Sequence, residues 1–273
     1  MRGGVKFYRG SPGAARSYVE ADRSRVDDYY LAEGTGLAER YVATPTPEGV
    51  RLGVRDEEGG IRAGGTLDGP AYERWVAGYD VETGAPKGGL RRDKQGLRFV
   101  EVVVNGPKTW SLAAALHPEI AAAYAAQDKA AAEIIGWLAE HATTRVGPRG
   151  RQVQVPVEQL EAAVVRHYTS RAGDPHRHLH LQINARVYAA GAWRGLHSVG
   201  VVDSIEAING IGHAAVMCDP EFRGVLAAHG YTLDPKTGEV AELAPYAGSV
   251  QCPRRADHSQ HRPLRGPVAQ RAS

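Results

Sequence analysis

The segment from Glu158 to Asn184 constrains this chain more than any other. Two runs, EQLEAAVVRHYTSR and HRHLHLQIN, flank a short loop centred on SRAGDP. Side chains on a strand alternate between faces, so His176, His178 and His180 share one face while Arg177, Leu179 and Leu181 share the other. Two such runs joined by so short a loop form an antiparallel hairpin. In that hairpin His167, eleven residues before His178, can face the cluster from the partner strand. Three or four imidazoles then converge on one place.

Such a cluster needs a reason. Protonated together the rings repel, and buried neutral each needs its own hydrogen-bond partner. A divalent metal answers both demands. The bland alternative, separately satisfied surface histidines, does not explain why they fall on one face. The two cysteines, Cys218 and Cys252, have no partnering spacing, so neither a disulfide framework nor a thiolate site is available. Imidazole ligation suits Zn, Ni or Co, and a site completed by water and phosphate oxygens accepts Mg or Mn, the two expected first. Glu101, alone in the apolar run FVEVVV, is a candidate to orient a ligating ring, since a buried carboxylate is costly unless it accepts a ring N–H. Its alternative is a solvated outer face.

The remaining chain reads as a mixed α+β unit. A short strand within residues 1 to 9 leads into AARSYVEADRSRVDDYYLAE, where Tyr18 and Tyr29 fall on one face of an unbroken helix. Residues 44 to 98 are rich in Gly and Pro, with short strands and one helix at AYERWVAG. LRFVEVVVNG is a buried strand ending in an Asn-Gly turn, and Pro107 opens a long helical stretch that breaks near His117-Pro118. GPRGR reads as a turn. A helical region follows over 203 to 229, with Asp219-Pro220 as a restart. Residues 249 to 273 hold five Arg, three Pro and almost no apolar periodicity, and are expected to be disordered. The division is therefore 1–248 and a 249–273 tail. No phosphate-loop motif is present, no apolar run nears a membrane span, and the N-terminus lacks a signal-peptide stretch, which fits a cytoplasmic protein without membrane insertion. A net charge of +2 does not announce a globally basic nucleic-acid binder.

HYTSRAGDPHRHLHLQIN resembles the metal motif of the MobF class of conjugative relaxases, members of the HUH endonuclease superfamily, which reads roughly H-x-[TS]-S-R-x-x-D-P-x-x-H-x-H-x-x-x-x-N. The resemblance gives ligand roles to His167, His178 and His180 and sets His176 aside. Six residues before its PKS motif the family has an Asp bonded to a ligating His; here Glu101 takes that place, and PKT replaces PKS. DDYYLAEG resembles the family's second tyrosine pair, giving Tyr29 and Tyr30, while Tyr18 retains the first member of the first pair and is followed by Val19. The similarity spans roughly residues 14 to 245.

That resemblance implies a central five-stranded antiparallel sheet flanked by helices. It implies a metal-dependent, strand-specific endonuclease that nicks single-stranded DNA at an origin of transfer. Tyr18 would attack first, forming a 5′-phosphotyrosyl intermediate, and Tyr29 or Tyr30 would serve a second transfer. Implied partners are the origin DNA and the conjugative coupling protein with its type IV secretion machinery, and the family's helicase region is expected beyond the tail. Lys108 and Arg171 are candidates to meet backbone phosphates, and Trp110, Trp193 and Tyr168 either stack on unpaired bases or fill the core. Two rivals remain: a His-metal phosphodiesterase whose nucleophile is water, and a decayed relaxase that binds origin DNA without cutting.

Overall fold

In the computed structural model, the described residues are 4–22, 36–55, 61–62, 64–89, 96–124, 126–169 and 175–248. Tyr29, Tyr30, Arg171 and the 249–273 tail lie outside them.

Runs of Val, Ile and Leu at alternate positions supply the strands. Those of the main sheet, among the described residues, are β1 (Val5–Tyr8), β2 (Ala38–Thr46), β3 (Gly49–Leu52), β4 (Thr66–Leu67), β5 (Phe99–Asn105), β6 (Leu160–Thr169) and β7 (Pro175–Asn184). They form one antiparallel sheet in the order β1-β5-β7-β6-β2-β3, with β4 also on β2. Five strands were expected of this central sheet. The sheet reaches seven because β2 is nine residues long and offers its outer edge twice, to β3 along Ala43–Thr46 and to β4 along Ala38–Glu39. Both added strands come from the Gly- and Pro-rich stretch.

Strand β7 lies at the middle of the sheet and divides its side chains by parity. Leu179, Leu181 and Ile183 are fully buried on one face with Val100, Val102 and Val104 of β5. Over them packs helix α5 (Ala126–His141) through Ala131, Ile134, Ile135 and Leu138. Burying each such Leu or Ile contributes about 1.5–3 kcal/mol relative to exposure. The opposite face of β7 presents His176, His178, His180, Gln182 and Asn184. Part of that face is roofed by α1 (Pro12–Asp22) and α2 (Gly69–Ala77): Ala15 and Val19 of α1 join Tyr72, Trp75 and Val76 of α2 over Phe99, Ala163 and Val165.

Local chemistry sets the helix ends. Asp68 caps α2 by accepting from Ala71 N at 2.7 Å, and Gly78 ends it in the left-handed region at φ 87°. The expected break at His117-Pro118 divides α3 (Lys108–Leu116) from α4 (Pro118–Ala123), because Pro118 has no N–H to continue the ladder. After α6 (Ser198–Asp203) and α7 (Ile205–Met217), Asp219 starts α8 (Pro220–Ala228) by accepting from Phe222 N at 2.9 Å. Helices α3, α4, α7 and α8 close a second core around Trp110, Tyr124 and Phe222.

Two D-x-x-T-G loops fold alike. Asp80 and Asp234 each accept from backbone N–H groups two and three residues on, and Gly84 and Gly238 close the loops at φ 71° and 74°. The GPRGR segment is more than a turn. It is the tip of a β-ribbon pairing Thr143–Val146 with Val153–Pro156, allowed by Gly147 and Gly150 at positive φ. No helix among the described residues is long and apolar enough to cross a membrane.

Candidate metal centre

Pairing register assembles the histidines. His167 on β6 is the direct cross-strand partner of His178 on β7, and His180 lies one step along the same face. The ring centres are 5.2 Å (His167 to His178), 4.8 Å (His167 to His180) and 5.1 Å (His178 to His180) apart. His176 sits at the outer end of the row, 5.5 Å from His178. Its carbonyl accepts from His178 Nδ1 at 2.8 Å.

Tautomers follow from these partners. A carbonyl can only accept, so Nδ1 of His178 carries the hydrogen and Nε2 keeps its lone pair. On His180, Nδ1 lies 3.2 Å from Glu101 Oε2, a carboxylate oxygen that accepts, so Nδ1 carries a hydrogen there too. Burial, with the neighbouring imidazoles adding to it and the His176 carbonyl opposing, pulls the His178 pKa down to about 4, so this ring stays neutral across ordinary pH. The donor set and its spacing fit a metal. With a metal–nitrogen bond of ~2.1 Å each ring centre stands ~3.2 Å from the ion, and two rings at a tetrahedral angle are then ~5 Å apart. As the side chains stand, no group of three or more His, Cys, Asp or Glu among the described residues is arranged to hold a metal ion.

Glu101 is buried, and its extra methylene relative to Asp has a geometric reason. It pairs in register with Gln182, one step beyond His180, so reaching His180 means crossing to a diagonal neighbour. Gln182 Nε2 donates to Glu101 Oε2 at 3.3 Å, and Tyr72 Oη donates to Gln182 Oε1 at 2.6 Å. A continuous chain therefore runs Tyr72–Gln182–Glu101–His180. Burial alone pushes the Glu101 carboxyl up, but the hydrogen bond and charge of His180, then Gln182 and Lys6, outweigh it and hold the group below its ordinary value. Burial also pushes the Tyr72 hydroxyl well above a normal phenol, so it remains a donor. Gln182 continues the period-two row of the histidines; Tyr72 arrives from α2, and no local pattern marks it.

Tyr18 lies on α1 between the buried turns at Ala15 and Val19, is 39% exposed, and is close enough to Tyr72 to act on it electrostatically. Lys108 opens α3 just after Asn105, the cross-strand partner of His178, and so belongs to the histidine end of the sheet. The aromatic candidates for base stacking are otherwise engaged. Trp110 is fully buried, donates to Gly238 O at 2.6 Å and packs against Tyr124 and Phe222. Tyr168 lies against Arg177, and Trp193 against Lys87 and Tyr188. Thr109, where the resembled motif has Ser, is buried: it donates to Glu239 and accepts from Val240 N at 3.0 Å, tying α3 to the second D-x-x-T-G loop.

Replacing Glu101 with Gln removes the carboxylate charge beside the His180 ring while keeping the volume. The expected result is divalent-metal affinity about 10–100-fold weaker, read by calorimetry, with the unfolding midpoint of the metal-free protein little changed. Unchanged affinity would show that Glu101 only fills space.

Residues 12–253 match a family model described as TrwC relaxase. The fold is similar to that of conjugative relaxase TrwC in complex with OriT DNA in a metal-free structure, at 21% identity and TM-score 0.61, covering 90% of this chain and 79% of that one. It is likewise similar to the metal-bound TrwC–OriT structure, at 23% identity and TM-score 0.60 over 87% and 75% of the two chains. A third similar structure is TrwC complexed with a 27-mer DNA comprising the recognition hairpin and the cleavage site, at 21% identity and TM-score 0.61, over 90% and 78%. No curated protein matches the chain.

Proposed function

Since this chain belongs to the TrwC relaxase family, we propose that it nicks single-stranded DNA at an origin of transfer, using a divalent metal held by His167, His178 and His180 and a tyrosine nucleophile, first Tyr18. The observation that carries this reading is the convergence of three imidazoles from β6 and β7, two of them with Nδ1 already committed and Nε2 left for a ligand bond.

A metal bound there supplies Lewis-acid polarisation of the scissile phosphate. The chain's own residues do the rest. Glu101, backed by Gln182 and Tyr72, fixes the ring of His180 and its tautomer. Tyr18 Oη attacks phosphorus and loses its proton, the bond from phosphorus to the 3′ oxygen breaks, and that oxygen takes up a proton. The products are a 5′-phosphotyrosyl protein and a free 3′-hydroxyl, so the ester is conserved for rejoining. Tyr29 or Tyr30 serves the second transfer. Lys108 and Arg171 meet backbone phosphates, and the unit 1–248 carries the activity, with delivery to the conjugative secretion machinery through a coupling protein.

The test is incubation of the purified protein with a library of single-stranded oligonucleotides, with and without Mg or Mn, at low salt because phosphate contacts weaken as salt rises. Metal-dependent cutting that leaves a 3′-hydroxyl and a protein-linked 5′ end is expected. Cutting with a free 5′-phosphate and no adduct assigns the attack to water, and binding without any cutting assigns the chain to a DNA-binding role; either overturns the proposal.

A further inference from the structure

The polar side of β7 continues past the histidines: His180, Gln182 and Asn184 share it, and α2 lies over the last two. Helix α2 is tied down at two points away from the histidines. Trp75 Nε1 donates to Glu161 Oε2 at 3.0 Å, and Asn184 Nδ2 donates to Trp75 O at 3.0 Å. About one turn earlier Tyr72 is fully buried, so its hydroxyl is a fixed point.

Glu101 is less constrained by its own backbone. It has one more rotatable bond than an aspartate and reaches His180 diagonally, from a position whose direct partner is Gln182. The bonds from His180 Nδ1 (3.2 Å) and Gln182 Nε2 (3.3 Å) end on the same carboxylate oxygen, Oε2. Holding Gln182 therefore holds the oxygen that orients His180. A carboxylate only accepts, so the Gln182 amide turns its NH2 toward Glu101 and its oxygen toward α2, where Tyr72 Oη donates to it at 2.6 Å.

We propose that Tyr72 is a positioning residue of the metal centre: its hydroxyl sets the Gln182 amide and, through it, the Glu101 carboxylate and the ring of His180. The inference rests on the reading of His180 as a metal ligand. It adds that a hydroxyl three hydrogen bonds from that ring governs how well the site holds an ion.

The experiment compares the full wild-type chain with Tyr72→Phe, Gln182→Met and the double variant. Three quantities are read: affinity for Mn and for Zn by calorimetry, the thermal midpoint without metal, and the His180 Nδ1–H signal in nitrogen-15 NMR of the metal-free protein. Each single variant leaves a buried polar group facing an apolar side chain, which lowers the midpoint. Each is also expected to weaken metal affinity about 3–10-fold, the scale of one net hydrogen bond, and to broaden the His180 signal through faster exchange with solvent. The double variant sets apolar against apolar, so its midpoint recovers while affinity and signal stay at the single-variant level. That split separates positioning from support of the fold. Affinity that recovers along with the midpoint overturns the proposal, and so does wild-type affinity in Tyr72→Phe. If the wild-type chain binds neither metal, the ligand reading fails by itself and the ring signal decides: broadened in Tyr72→Phe, the positioning role stands; unchanged, it falls.

Discussion

Replacing Tyr18 with Phe is expected to abolish the covalent protein–DNA product of the proposed reaction, lowering the nicking rate at least about 10³-fold while DNA affinity stays within about twofold. The change deletes one oxygen from a side chain that is 39% exposed, so the neighbouring buried contacts of Ala15 and Val19 are untouched and no fold defect can account for the loss. Phenols titrate near 10, so attack at neutral pH depends on a site that favours the phenolate as it forms, and Phe offers nothing to favour. The check is a denaturing gel of end-labelled oligonucleotide with mass spectrometry of the trapped peptide. Adduct formation at the wild-type rate in the Phe variant, mapped to Tyr29 or Tyr30, would move the first attack to the second pair.

A second large effect lies away from the metal. Glu161 is fully buried beneath Trp75 and holds two cations: Arg40 Nη2 at 3.0 Å and Lys87 Nζ at 2.6 Å, the latter as an ion pair off the line of a hydrogen bond. Trp75 Nε1 donates to its other oxygen at 3.0 Å. Glu161→Gln keeps the shape and removes the fully buried anion of the group, leaving Arg40 and Lys87 the partly exposed Asp80, and Arg40 also Glu82, which is 42% exposed. Breaking a buried pair in this way costs about 3–5 kcal/mol. For a domain of this size that lowers the thermal midpoint by roughly 6–20 °C. Adding Lys87→Met to Glu161→Gln restores part of the loss, because one stranded cation is gone. A loss below about 1 kcal/mol in the single variant would mean water reaches the group and screens it.

The parts of this molecule that were legible in the sequence are those a strand writes locally. Period two alone put His176, His178 and His180 on one face, and loop length paired them with His167; the register His167 to His178 bears that out. Pro118 and Asp219 marked helix boundaries because each acts on its own backbone. Glu101 stood out as a carboxylate among valines, but its diagonal reach to His180 through a Gln182 pairing is a fact of register between distant strands. Tyr72 carries no local signal, since it reaches Gln182 through the packing of α2. Trp110 illustrates the converse: its sequence context allowed base stacking, and the second core claims it instead.

Strand β7 has a further consequence for how such a chain can change. Each odd position from Leu179 to Ile183 belongs to the helix-packed side and each even position from His176 to Asn184 to the polar side, so one inserted or deleted residue exchanges the two sets. Imidazoles and amides would be driven against α5 and leucines into the site, a double failure that no single substitution repairs. The reading frame of this segment is therefore rigid in length while each side remains open to exchange within its own chemical class. Strands β3 and β4 pair only along the outer edge of β2, yet Val50 and Leu52 of the one and Leu67 of the other pack into the cores, so a shift there would misplace fewer side chains than in β7.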